Sequence, residues 1–322
     1  MIRRLVWAVT MLLVVPALQA QAQAVWPGKS LRIVVPFVPG SFTDVAARVI
    51  ARELTEHLGQ QVVVDNRSGA GGTLGTDIVA KAASDGYTML LTDNSFAISP
   101  ALYKKLPYDP AKNFIQVSQV AEAPSMMVAR LQLPAKALKE FVSLARAKPG
   151  ELTFGSGGQG SSAHLAMELF LNIAGIKMNH VPFKGVAASI VEVVAGRIDV
   201  SMASLASGMA QVSAGRIQGF GVSGKERSPL LPTVPTFAEA GFPGYDMSYW
   251  WGIAVPAGTP AQIVSRLNQE IARAAEKPGV KESFVSQGAR AVTSSPAEMS
   301  RRVSEEIKVW KNVVARAGVT IQ

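Results

Sequence analysis

The chain has 322 residues, a formal net charge of +9 and a composition in which 48% of the residues are hydrophobic. It contains no cysteine, which excludes disulfide bonds, thiolate metal sites, a cysteine nucleophile and a lipid-modified cysteine. The 32 lysines and arginines are scattered without a basic run, so we expect no nucleic-acid partner.

The first 24 residues have the pattern of a secretory signal peptide. Arg3 and Arg4 precede an apolar stretch over residues 5–15, and small-residue motifs predict cleavage near Ala22 or Ala24. The apolar stretch is too short to span a bilayer as a helix. We therefore expect an exported, periplasmic protein whose mature chain is soluble.

Short apolar strands alternate with amphipathic helices after this segment, which is typical of an α/β fold. A long extended segment with a proline inside it follows, as expected for a strand that passes from one lobe to another. The predicted strands are 31–37, 61–65, 87–92 and 115–128, the predicted helices are 44–58 and about 69–83, and residues 100–110 are predicted to form an irregular connection.

The same alternation continues to the end of the chain, and the apolar segment 247–255 is a candidate for a return crossing. The last two helices each begin with a pattern that fits a capping box, at Thr259 and Ser295. The other predicted helices are 138–147, 162–174, 189–195 and a short one around 237–240, and the predicted strands are 152–155, 178–182, 200–203 and 218–223.

This order of elements predicts two α/β lobes joined by two crossing strands. We expect residues 1–24 to be the signal peptide. Residues 25–123 together with 249–322 would form a discontinuous first lobe, and residues 124–248 would form the second lobe.

The loop between the first strand and its helix is one candidate ligand-binding loop. Gly40 allows a tight backbone, Ser41 and Thr43 offer hydroxyls, and the helix start presents unpaired N–H groups and the positive end of its dipole. Asp44 has two interpretations, as a helix cap or as an acceptor for a ligand. Capping does not explain the bulky Phe42 in a polar turn, which favours ligand binding.

A second candidate loop, Gly155 to Gly160, matches G-x-G-x-x-G between a strand and a helix. A dinucleotide site is therefore a real alternative. The next strand is followed by no acidic residue that would hold a ribose, and nicotinamide cofactors are scarce outside the cytoplasm. The glycines fit equally well with backbone N–H groups directed at a carboxylate, with Ser161 or Ser162 as the helix cap.

No catalytic constellation is visible in the sequence. The three histidines, His57, His164 and His180, form no metal-binding pattern, and we interpret His164 as structural. No G-x-S-x-G elbow occurs, and we interpret Trp250 and Trp251 as hinge packing. The sequence therefore favours a binding protein over an enzyme.

Several segments follow one another in an order typical of one family. They are VPFVPGSFTDVAARVIA, NRSGAGGTLGTDIVAKAASDGYTML, KPGELTFGSGGQGSSAHLAMELF, HVPFKG, LPTVPTFAEAGFPGY and WWGIAVPAGTP, and they cover nearly all of the mature chain. The chain thereby resembles the Bug (TctC-like) family of receptors of tripartite tricarboxylate transporters. The resemblance implies a two-lobed, type II-like periplasmic binding protein, with two Rossmann-like lobes that close on a small carboxylate.

The resemblance also implies ligand contacts from both lobes. The family usually has glycine where this chain has Ser41 and tyrosine where it has Phe183, so we expect an altered ligand geometry. The implied ligand-binding residues are Phe37, Pro39, Gly40, Ser41, Phe42, Thr43, Asp44, Asn94 and Ser95 in the first lobe, and Ser156, Gly157, Gly158, Gln159, Gly160, Ser161, Lys184 and Gly185 in the second.

We therefore expect a non-enzymatic receptor, without a cofactor or a metal, that captures a small organic carboxylate. It would act as a monomer and deliver the ligand to the membrane permease subunits of a tripartite tricarboxylate transporter. One alternative is an exported enzyme that uses a nucleotide or cofactor at residues 155–160. The other is a ligand sensor that signals without transport.

Overall fold

A computed structural model of the chain describes residues 26–318. The predicted signal peptide and its cleavage site lie outside the described residues. No helix within residues 26–318 combines the length and the apolar character that a bilayer crossing requires.

The described chain has the predicted α/β fold. The strands are β1 Leu31–Val35, β2 Val62–Asn66, β3 Thr88–Asp93, β4 Phe114–Arg130, β5 Thr153–Ser156, β6 Asn179–Pro182, β7 Val200–Ser204, β8 Ile217–Val222, β9 Ser248–Pro256 and β10 Arg290–Ala291. The α-helices are α1 Phe42–Leu58, α2 Thr73–Ala80, α3 Asn94–Leu102, α4 Leu138–Ala147, α5 Ser162–Ala174, α6 Val186–Val194, α7 Leu205–Ser213, α8 Ala261–Glu276, α9 Pro278–Val285 and α10 Pro296–Ala317.

One curled mixed sheet runs through both lobes in the order β2-β1-β3-β9-β4-β7-β5-β6, with β8 and β10 paired to β4. The outer pairs β1–β2, β1–β3, β5–β6 and β5–β7 are parallel, whereas β9 is antiparallel to β3 and to β4. The 17-residue strand β4 belongs to both lobes. Residues 114–124 pair with β9, and residues 125–130 pair with β7 and β8.

Buried apolar strands and capped helices explain the first lobe. Strand β1 has four buried residues out of five, as its unbroken apolar sequence predicts. The helix α1 begins after Ser41, whose Oγ accepts a hydrogen bond from Asp44 N at 3.3 Å. It ends at Gly59, where a φ of 66° requires the left-handed conformation that glycine adopts without strain. The strand therefore delivers the chain directly into a helix start.

The structure corrects the predicted irregular connection from residue 100. Residues 100–102 form the end of α3, with Pro100 inside the helix. The Asp93 side chain caps this helix by accepting from Ser95 N at 2.9 Å. Most of α3 is buried, so packing outweighs the hydrogen bond that the proline removes.

The structure differs from the prediction in four further points about helices. Helices α7 and α9 were not predicted, because the sequence of α7 is rich in small residues and α9 is short. Residues 237–240 form a turn without becoming a helix. The predicted capping box at Ser295 is present, but Thr259 caps no helix and donates from Oγ1 to the Pro256 carbonyl at 2.7 Å.

Candidate functional site

A cavity of about 100 Å³ lies between segments of the two lobes. It lies where strands end and helices begin. The first lobe and strand β9 contribute Phe37, Val38, Ser41, Phe42, Thr43, Asp93, Tyr249 and Trp251, and the second lobe contributes Gly157, Ser161, Ser162, Ala163, Gly185, Val186, Ser204 and Ser207.

Five helix starts meet at this cavity. The residues that precede the helices α1, α3, α5, α6 and α7 are Ser41, Asp93, Ser161, Gly185 and Ser204, and each of them lines the cavity. The first N–H groups of a helix lack partners inside the helix, and they carry a partial positive charge from the helix dipole. The arrangement therefore offers a small anion several backbone donors from both lobes.

Asp44 does not line the cavity but holds the first loop in place. Its Oδ2 accepts from Gly40 N and Arg48 Nε, both at 3.0 Å, and its Oδ1 accepts from Asn66 Nδ2 at 3.0 Å. Burial raises the pKa of Asp44, but the hydrogen bonds from Arg48, Gly40 and Asn66 outweigh it and keep the pKa below its ordinary value. The helix cap is Ser41, not Asp44 or Thr43.

Two aromatic rings form a wall on the first-lobe side. The ring centroids of Phe42 and Trp251 lie 4.3 Å apart. The Trp251 indole Nε1 donates to Thr43 Oγ1 at 3.0 Å. Trp251 was predicted to be hinge packing, but it lines the cavity. Its neighbour Trp250 points elsewhere, is fully buried, and donates from Nε1 to Glu306 Oε1 at 2.7 Å.

Buried polar side chains hold the second candidate loop, Gly155 to Gly160, in place. Ser156 is fully buried, and its Oγ accepts from Gly158 N at 3.1 Å and lies 2.6 Å from His180 Nε2. His164 Nδ1 accepts from Gly160 N at 3.1 Å. Ser156 and His164 therefore hold the backbone of the loop, while Gly157 faces the cavity.

The two histidines beneath this loop stack on each other. The ring centroids of His164 and His180 are 3.8 Å apart. Burial and the neighbouring His164 lower the pKa of His180 to about 4. His180 is therefore neutral at pH 7.

The structure places seven of the predicted site residues on the cavity wall, namely Phe37, Ser41, Phe42, Thr43, Gly157, Ser161 and Gly185. The others do not line it. Asn94 ties α3 to β9 by accepting from Trp250 N at 3.1 Å, and Ser95 donates to Asp93. Lys184 is exposed. The residues off the wall are Pro39, Gly40, Asp44, Asn94, Ser95, Ser156, Gly158, Gln159, Gly160 and Lys184.

Sequence reasoning missed two groups of lining residues. One is the start of α7, Ser204 and Ser207, because α7 itself was not predicted. The other comes from strand ends, since a strand pattern does not indicate which terminal residue faces a cleft. It comprises Tyr249 and also Asp93, which the family resemblance implies only as a residue that flanks the first-lobe loop. A polar residue at the carboxyl end of a buried strand is the signal that identifies Asp93 and Ser204.

Asp93 is the one lining residue whose side chain is charged at neutral pH. Burial raises its pKa to about 6, the hydrogen bonds from Ser95 oppose this rise, and the nearby charge of Glu306 adds to it. The lining contains no lysine, arginine or histidine. Within residues 26–318 no group of three His, Asp or Glu side chains is arranged to hold a metal ion.

Comparison with known proteins identifies the family. Residues 46–319 match the model of the tripartite tricarboxylate transporter family receptor, TctC. The protein BugT of Bordetella pertussis is 36% identical over 299 residues, which are 92% of each chain.

Two solved structures share the fold over almost the whole chain. R. palustris Rpa4515 with adipate has a TM-score of 0.86 and 36% identity, and the match covers 92% of this chain and 99% of that one. The periplasmic binding protein BugD has a TM-score of 0.85 and 29% identity, with 92% and 100% covered. These neighbours confirm the two-lobed fold. The interpretation of residues 155–160 as the nucleotide loop of an enzyme does not stand, because the chain belongs to the TctC (Bug) family of solute-binding receptors.

Proposed function

We propose that this protein is exported to the periplasm, binds a small organic carboxylate between its lobes and delivers it to the permease of a tripartite tricarboxylate transporter. The convergence of five helix starts on one cavity carries the proposal. Such a set of N–H donors stabilises a carboxylate, since each donor offers a hydrogen bond and a partial positive charge. The adipate in Rpa4515 supports the same ligand class.

The proposed mechanism is a hinge closure about β4 and β9. We propose residues 25–123 with 249–322 as one moving body and residues 124–248 as the other. The two bodies would be connected through residues near 124 and 248, which pair with each other. Because the cavity wall comes from both bodies, a ligand stabilises the closed arrangement only when both contribute contacts.

A binding screen with the purified mature chain tests the ligand class. We expect at least one small mono- or dicarboxylate to raise the melting temperature, because a ligand at a hundredfold its dissociation constant stabilises the folded state by about 2.7 kcal/mol. Nucleotides are the negative control, because they are anions whose charge lies on phosphate groups and not on a carboxylate. Stabilisation by nucleotides alone would refute the proposal.

Delivery needs a separate experiment in a host that carries the gene. Deleting the gene should abolish uptake of the identified carboxylate, and the wild-type gene should restore it. A ligand sensor predicts a different result, in which uptake persists and only a transcriptional response to the ligand is lost. That result would refute delivery to a permease and leave the proposal of carboxylate binding intact.

A further inference from the structure

We propose that the cavity selects carboxylates that also carry a cationic nitrogen, amino acids or betaines, and that Asp93 binds the cationic end. This inference rests on the proposed function and narrows its ligand class. It starts from the charges on the wall. A cavity meant for an anion alone is expected to carry a basic side chain or no charge, but the wall has one carboxylate and no basic side chain.

The hydrogen bonds of Asp93 leave one of its oxygens available. Oδ1 accepts both from the backbone N–H and from the hydroxyl of Ser95. Among residues 26–318, no donor is hydrogen-bonded to Oδ2. Asp93 lines the cavity, and its Oδ2 is not one of the fully buried polar atoms that lack a partner. A ligand that brings a positively charged donor can therefore reach this oxygen and pair with it.

Aromatic rings surround the same side of the cavity. Phe37, Phe42, Tyr249 and Trp251 all line it. Trp251 has already donated its indole N–H to Thr43, so its ring face, rather than its N–H, remains for a ligand. The faces of aromatic rings attract cations, and quaternary ammonium groups are recognised in this way. A carboxylate combined with aromatic rings is therefore a site for a cationic nitrogen.

In the described part of the chain, the opposite side of the cavity carries hydrogen-bond donors and no charged side chain. It comprises the starts of α5, α6 and α7, with Ser161, Gly185 and Ser204 as the capping residues and with the hydroxyl of Ser207. N–H and hydroxyl donors there suit the carboxylate end of the ligand. A volume of about 100 Å³ restricts the ligand to a small molecule. A compact zwitterion fits both ends at once.

Pairs of ligands that differ only in the charged nitrogen test the inference on the unmodified protein. Glycine betaine is matched by 3,3-dimethylbutyrate, and alanine is matched by isobutyrate, since a carbon replaces the nitrogen in each case. In isothermal titration calorimetry, we expect glycine betaine or alanine, or both, to bind at least tenfold more tightly than the matched carbon analogue. Lactate, which replaces the ammonium with a hydroxyl, should bind as weakly as isobutyrate.

The variant Asp93→Asn then identifies the residue responsible. It removes the charge and keeps an acceptor oxygen for Ser95, so we expect it to fold and to lose at least tenfold in affinity for the zwitterion. Its affinity for the carbon analogue should not fall. Asp109→Asn is the control, because Asp109 Oδ1 accepts from the backbone two residues ahead in the same way and lies away from the cavity.

The outcomes separate this inference from the function on which it rests. Equal binding of both members in both pairs overturns the inference and leaves a carboxylate receptor standing. If alanine binds more tightly than isobutyrate, equal binding of lactate and alanine also overturns it. An unchanged preference for the zwitterion in Asp93→Asn also overturns it. If no carboxylate of any kind binds, the proposed function fails as well.

Discussion

Two residues show how a buried polar group serves the site without touching a ligand. Asp44 anchors the first loop through three hydrogen bonds, and His164 does the same for the second loop through Gly160 N. Loss of the His164 side chain leaves the buried Gly160 N–H without a partner, which costs more than the net energy of the bond itself. The hydrogen bonds to Asp44 are only partly buried, so its loss releases the first loop at a smaller cost. Such residues position the cavity wall.

His180 makes the folded protein less stable as the pH falls below 6.5. Its pKa is about 4 in the folded protein, below the ordinary value near 6.5. The unfolded state therefore binds the proton first as the pH falls, and stability is lost between pH 6.5 and 4. His180 alone contributes a loss of about 1–3 kcal/mol over this window. Asp93, with a folded pKa of about 6, acts in the opposite direction there, because the folded state binds its proton first. The difference between the wild-type protein and a variant without His180 therefore isolates the contribution of His180.

The variant His180→Gln tests this expectation, because glutamine keeps a side-chain donor for Ser156 and does not titrate. Chemical denaturation from pH 7 to pH 4 should show a smaller loss of stability in the variant than in the wild-type protein. Equal losses in both proteins would assign the acid sensitivity to other groups.

At the scale of elements, capped helices that follow buried strands were predictable from the sequence. Helices α4 and α5 were predicted with their bounds, because their patterns contain apolar spacing and clear ends. Helix α7 was missed, because its sequence is rich in small residues, including Gly208, which packs against Met126. Helix α3 was not predicted, and its last residues, from Pro100, were assigned to an irregular connection.

The candidate site was predictable to the level of loops but not of side chains. The sequence indicates that the segments around Ser41, Ser156 and Gly185 follow strands and begin helices. It does not indicate that Asp44 turns inward to Gly40 or that Asp93, not Asn94, faces the cleft. Those orientations depend on contacts with residues far away in the chain, such as Asn66 and Trp250.

Two similar helix caps, one at the cavity and one away from it, allow the effect of a cap on ligand affinity to be measured apart from its effect on stability. Ser161 Oγ accepts from His164 N at 3.3 Å on the cavity wall, and Ser295 Oγ accepts from Glu298 N at 3.2 Å at the start of α10. Replacing either serine with alanine should cost about 1 kcal/mol of stability. Only Ser161→Ala should also weaken ligand binding, by about tenfold in a calorimetric titration. Equal ligand affinities of the two variants would show that the start of α5 is not part of the binding site.

At the scale of the whole molecule, one continuous sheet connects two halves whose wall residues meet across a cleft. The small cavity indicates a closed arrangement, and Gly71 of the first lobe comes close to the backbone of Gln159 in the second. Helix α5 also packs against α3 and α10. A ligand of this volume must enter before the lobes close, so closure and binding are coupled.

Hydrogen–deuterium exchange of the backbone amides, with and without a saturating carboxylate, tests the central claim most directly. We expect the ligand to slow exchange at the starts of helices on both sides of the cavity, at residues 42–44 and 162–164. The start of α10, residues 296–298, should exchange at an unchanged rate. Protection on one side alone, or at neither side, would contradict binding by main-chain amides of both lobes.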